Sequence, residues 1–336
     1  MPFPDVADAH PGYETGIDVH PAPSIIAFTT LSGIGYGLLV WIGVLAPVGA
    51  LPLGRAFAAA SLALALACIT AGLLSSALHL GHPERAWRAF SQWRSSWLSR
   101  EGVSAVLTYV PTLLFAARWL LADTDGLWAA LGLLVVAGSI ITLICTAMIY
   151  QSLKPIRQWH NPWVLPNYLL LAGMSGALWL LAILSTFAEL RAPLLVLTAA
   201  LVLAALAGKI AYWQSIERNT TRSTLASATG LPADKPLRPL DPPHTEENYL
   251  LREMGFRIAR AHVDKLRRIA LALGFAAPLV TLALAFLLQD GMATAVIMFA
   301  GAISSTMGIL IERWLFFAEA THTVALYYRG DAKAVV

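Results

Sequence analysis

Ser75-Ser76-Ala77-Leu78-His79-Leu80-Gly81-His82-Pro83-Glu84-Arg85-Ala86-Trp87-Arg88-Ala89-Phe90, followed shortly by Trp97-Leu98-Ser99-Arg100-Glu101-Gly102, decides how the rest of the chain is read. An apolar run that begins at Ala56 ends here in an imidazole, His79, and one turn later the chain turns to arginine and tryptophan. The next apolar run opens at Glu101. Working outward, apolar blocks of this kind recur along nearly the whole length, each long enough to cross ~30 Å of hydrocarbon as a helix. Only 13% of the 336 residues are charged, about half the share in an ordinary soluble domain. The composition therefore predicts an all-α integral membrane protein and excludes a soluble enzyme or a nucleic-acid binder.

Eight spans are expected: 24–46, 54–81, 101–121, 127–150, 167–187, 192–213, 269–288 and 292–320. A polar tail, 1–23, precedes them; it lacks the basic start of a signal peptide, so the first span is expected to be retained. Basic loops fill 82–100 and 151–166, an insertion occupies 214–268, and a tail runs over 321–336. Within the insertion Leu250, Met254, Ile258, His262 and Leu266 recur every four residues, which predicts an amphipathic helix at about 245–268. Eight spans put both termini on one side, with all Lys and Arg except Arg55, Arg118 and Arg191 when Lys209 and Arg313 are counted with their nearest loops. The positive-inside rule makes that side cytoplasmic.

Every histidine lies at or beyond the cytoplasmic ends of the spans: His10, His20, His79, His82, His160, His244, His262 and His322. No charged residue falls at an expected bilayer centre, where a pump or coupled transporter places its ionisable groups. Pro111 and Pro278 interrupt spans without a polar cluster beside them. Cys68 and Cys145 lie in apolar runs and no C-x-x-C exists, so the chain cannot hold an iron–sulfur cluster or structural zinc alone. A haem crossing the bundle needs two axial side chains, and only His79 is inside a span; a haem nearer the surface, on His82, His160 or His322, stays open.

His79 can hold a quinone head group at the membrane edge, or simply bond a loop carbonyl. Ser75 and Ser76 sit one turn back and can share its face. Quinone reduction takes two electrons and two protons, so it needs a donor to the carbonyl and a titratable route to water; histidine supplies both near neutral pH. Arg100 is a candidate for charge balance at the quinone, and Glu101, Glu319 and His322 for proton delivery, with Ser99 as the cap of the third span. Glu312, Glu319 and His322 can line one helix face as a proton path, although Glu312 also suits a local ion pair with Arg313 or a neighbouring helix.

His79-Leu80-Gly81 with Pro83, then Arg85-Ala86 and Ser99-Arg100-Glu101, resembles the membrane-anchor subunit of dimethyl sulfoxide reductase. The segments Met148 to Pro162 and Arg313 to His322 resemble one branch of that family, the anchor of the cytoplasmic membrane-bound sulfite dehydrogenase. The resemblance implies an eight-helix anchor in the bacterial inner membrane, usually without haem, in complex with a molybdopterin catalytic subunit and a ferredoxin-like iron–sulfur subunit on the cytoplasmic face. The cofactors of the sulfur chemistry then sit in those partners, and this chain contributes no catalytic residue to it. The family's quinol-binding histidine is His79 here, with ubiquinone or menaquinone and membrane lipid as its small-molecule partners. Sulfite oxidation is the expected direction; reduction of an S-oxide or N-oxide, or a small-anion transporter, are the alternatives. The insertion Ser215 to Arg268 departs from the family's simplest form.

Overall fold

A computed structural model of the chain describes residues 23–77, 82–218, 226, 229, 230, 232, 262–288 and 291–323. Eight helices in it are long and apolar enough to cross a membrane: α1 Pro23–Leu45, α2 Arg55–Ala77, α3 Trp97–Leu120, α4 Gly126–Gln151, α5 Val164–Leu184, α6 Ala192–Arg218, α7 Val263–Leu288 and α8 Met292–Ala318. Among the described residues there is no strand, only a single antiparallel bridge between Ile156 and His322. All eight expected spans are present. The expected helix at 245–268 falls mostly outside the described residues, and its last six, from Val263, continue without a break into α7.

The helices start where side chains satisfy their first amides. Asp125 accepts from the N–H groups of Leu127 (3.0 Å) and Trp128 (3.1 Å) to start α4, the usual work of an N-cap carboxylate. The cap of α3 is Ser96 and not Ser99: its hydroxyl accepts from the Ser99 amide at 3.4 Å, so the helix starts at Trp97, one turn before Glu101. The Ser99 hydroxyl instead donates to the Ala89 carbonyl in the preceding loop.

α1 is the hub, packed against α2, α4, α5 and α8. Its glycines let backbones touch: a Cβ on Gly37 would lie 1.9 Å from the Ala172 carbonyl oxygen, and one on Gly176 would lie 2.2 Å from the Gly37 carbonyl carbon. Small residues at such crossings are how apolar helices approach closely when no hydrophobic force separates lipid from protein. In α7 a π turn, Ala272–Ala276, precedes Pro278. Proline has no N–H to offer the carbonyl four or five residues back, here those of Gly274 and Leu273. Two serines of α8 supply the missing donors, Ser304 to Leu273 (3.0 Å) and Ser305 to Gly274 (3.4 Å). The proline therefore does have polar company, contributed by the neighbouring helix, where the sequence reading expected none.

Candidate functional site

The starts of α1, α3, α5 and α7 and the ends of α2, α4, α6 and α8 share one end of the bundle, here called the basic end after its loops. Inside that end lies a layer of buried charge. Lys209 of α6 and Glu312 and Arg313 of α8 are 1%, 1% and 3% exposed. They are not loop residues: at 1.5 Å per residue, Lys209 stands about 14 Å inside the end of α6. The Lys209 ammonium donates to Glu312 Oε1, and Arg313 Nε lies 2.7 Å from Glu312 Oε2. Aromatic faces complete the solvation. Lys209 Nζ stands 4.1 Å from the Tyr212 ring centroid and 5.0 Å from that of Trp213, and the Arg313 guanidinium 4.1 Å from that of Tyr168.

Arg313 also borders a cavity of about 10 Å³ between α1, α4, α5 and α8, lined by Thr30, Thr146 and Tyr168 among others. That volume suits about one water. Arg313 Nη1, Thr30 Oγ1 and Tyr168 Oη are all buried without a hydrogen-bond partner, the groups a water there would satisfy. On the opposite wall the Thr146 hydroxyl donates to the carboxylate of Glu101, itself buried at the start of α3. A polar array thus runs from Glu101 through Thr146 and the cavity to Arg313, Glu312 and Lys209, across α3, α4, α8 and α6. With both carboxylates ionised it is neutral, two cations against two anions. Such intramembrane charges face the bundle interior and mark function by default.

The other expected site residues are distributed around this layer. His79 lies outside the described residues. The Ser75 hydroxyl is committed to the Ser24 carbonyl of α1 at 2.9 Å, while Ser76 is half-buried in the last turn of α2. Arg100 holds the loop before α3, donating to the carbonyls of Trp93 (3.0 Å) and Arg94 (2.7 Å) with its guanidinium 4.3 Å from the Trp97 ring. Glu319 is just past the end of α8 and pairs with Arg267 of α7 at 2.7 Å; Arg267 also reaches Glu217 of α6. Burial pushes the Glu319 carboxyl above the usual carboxylate range, against the pull of Arg267 and Lys209. His322 forms the bridge to Ile156. Glu312, Glu319 and His322 do not share a helix face, because α8 stops at Ala318.

Two sequence segments that looked unrelated form one unit at the basic end. Trp159, in the loop after α4, donates to the Phe316 carbonyl at 2.9 Å and stacks on the Phe316 ring. Gln158 exchanges hydrogen bonds with Thr321, and the Thr323 amide donates to the Pro155 carbonyl at 3.1 Å. The loop is thereby fastened to the end of α8.

A family model described as DMSO reductase anchor subunit (DmsC) matches residues 16–318, from before α1 to the end of α8. The chain belongs to this family. Among curated relatives of the DMSO reductase anchor, a sulfite dehydrogenase subunit of Allochromatium vinosum is 34% identical over 335 residues, covering 94% of this chain and all of the relative. No solved structure matches. For this anchor the sequence reading placed Lys209 and Arg313 with their loops and did not single out Thr30, Thr146 or Tyr168. A lysine inside the apolar run 192–213 was the available signal.

Proposed function

We propose that this chain is the quinone-reactive anchor of a three-part molybdopterin oxidoreductase, passing electrons from an iron–sulfur subunit to membrane quinone during oxidation of sulfite to sulfate. The observation that carries the substrate is the end-to-end similarity to a subunit of a sulfite dehydrogenase; family membership supports the anchor role. With no C-x-x-C in the chain, electrons arrive through clusters held by another subunit, docked on the basic, cytoplasmic end.

Quinone supplies a head group that takes up two electrons and two protons. The internal cavity beside Arg313 has room for about one water, so a quinone ring fits only outside that layer, toward the end of α2, which leads into His79. His79 donates to a quinone carbonyl there, and Ser76 orients the imidazole. Ser75, bonded to Ser24, and Arg100, bonded to loop carbonyls, hold α2 and the loop in place around it. Glu101 at the near end of the buried array takes or gives the proton, with the Thr146 hydroxyl fixing one carboxylate oxygen. Glu319 and His322 lie farther along the same end and serve exchange with the cytoplasm.

The test is a mild-detergent pull-down of the chain from its native membranes. Molybdenum and iron with two further subunits are expected, together with sulfite-dependent quinone reduction. A metal-free chain recovered alone and folded would overturn the anchor reading. Quinol-dependent S-oxide reduction without sulfite oxidation would keep the anchor and reverse the direction, as the family description allows.

A further inference from the structure

Between α2 and α3, residues Pro83–Gln92 form a 3-10 helix, and its three edges are chemically sorted. In this geometry side chains three apart eclipse. One edge is Ala86 and Ala89, half-buried against the bundle, with the Ala89 carbonyl accepting the Ser99 hydroxyl. A second is Trp87, Phe90 and the C-cap residue Trp93, and these remain 66%, 41% and 51% exposed. The third is Arg85, Arg88, Ser91 and Arg94, all exposed. The Ser95 amide bonds the Gln92 carbonyl at 3.0 Å, carrying the same turn past Arg94.

The aromatic edge does not stand alone. Leu74 on α2 and Leu98 on α3 are 62% and 52% exposed, so apolar outer surface borders it on both sides. Phe90 rests against Gly102, where an added Cβ would come within 3.2 Å of its ring. Beside this edge stand three guanidiniums and one carboxylate, Glu84, which has His82 at 3.0 Å and Arg85 at 3.8 Å. Arg88 and Arg94 have no carboxylate partner among the described residues; each lies over its neighbouring indole, at 5.7 and 5.4 Å. The planar forks thus keep donors for a phosphate, level with rings that belong at a bilayer boundary.

We propose that this helix is a binding site for the phosphate headgroups of acidic phospholipids, its aromatic edge in the lipid boundary and its arginine edge on the headgroups. The proposal is independent of the quinone reading. Each basic side chain near an anionic surface adds about fivefold to affinity, so three give on the order of a hundredfold.

The full chain in neutral detergent is titrated with short-chain phosphatidylglycerol and, separately, short-chain phosphatidylcholine, binding being read by native mass spectrometry. The wild type is expected to prefer phosphatidylglycerol, and the triple variant R85Q/R88Q/R94Q to lose that preference by about a hundredfold. The triple Arg→Lys variant keeps the charge and should keep most of the preference, which separates loss of the site from misfolding. Equal binding of both lipids by the wild type, or undiminished preference in the glutamine variant, overturns the proposal. So does a glutamine variant that keeps the lipid but no longer copurifies partner subunits, which would make the edge a protein-docking surface.

Discussion

The Lys209 ammonium and the Arg313 guanidinium share the single carboxylate of Glu312, and this sharing sets the energetics of the buried layer. Glu312→Gln would leave two neighbouring cations without their counter-charge, whereas Lys209→Met leaves Glu312 still paired with Arg313. Uncompensated buried charge costs about 3–5 kcal/mol. We therefore expect Glu312→Gln to destabilise the folded chain by about that amount and Lys209→Met by far less. The double variant should recover part of the loss, by about 0.5–3 kcal/mol of coupling. Unfolding by SDS titration measures all three; equal costs for the two single variants would count against a shared carboxylate. Glu101 has no such cation in contact, and the Thr146 hydroxyl holds one of its oxygens. That leaves it the member of the array best placed to change protonation state during turnover.

Element packing depends on a few positions where no side chain fits. The α1–α5 contact is backbone on backbone at Gly37, and the Ala172 carbonyl 1.9 Å from an added Cβ cannot swing aside as a side chain tip would. Gly37→Leu is expected to separate α1 from α5 at a cost above the about 1–3 kcal/mol typical of overpacking. Gly54→Ala, where an added Cβ meets nothing within 4 Å, is the matched control and should change little. Detergent thermal unfolding and elution profile compare the two; a Gly37→Leu chain as stable as the control would contradict this crossing. The π turn of α7 depends in the same way on its neighbour, because the carbonyls that Pro278 leaves without a donor face Ser304 and Ser305.

Across the whole molecule the two ends differ in kind. The end opposite the basic one is closed by an aromatic plug in which Phe115 stacks on Trp128 at 5.0 Å and Trp119 meets Phe57 and Trp128 edge-on. The basic end gathers the buried charge, the fastened loop after α4 and the amphipathic 3-10 helix. Chemistry confined to one end suits an anchor that exchanges electrons and protons with a partner on that side and has no need to conduct across. His79→Ala in an otherwise intact complex is therefore expected to retain all subunits and metals while quinone-linked turnover falls about a hundredfold, the usual scale for losing a positioned proton donor. Turnover at the wild-type rate in that complex would remove His79 from the site.

Hydropathy alone determined the eight helices, because the cost of placing polar groups in hydrocarbon is a property of each segment by itself. The motif around His79, the crowding of charge at one end and the lack of cysteine clusters were equally legible. Tertiary structure alone decided which polar side chains meet. Helices apolar on nearly every face carry almost no periodic signal to say which way a given residue points, so the rotation of α6 and α8 that joins Lys209 to Glu312 could not be read from either segment. The same holds for Ser75, whose hydroxyl is taken by the Ser24 carbonyl of α1, and for the α4 loop that locks onto α8 through Trp159. Each contact joins residues far apart in sequence, and depends on helix rotation and close backbone approach rather than on local composition.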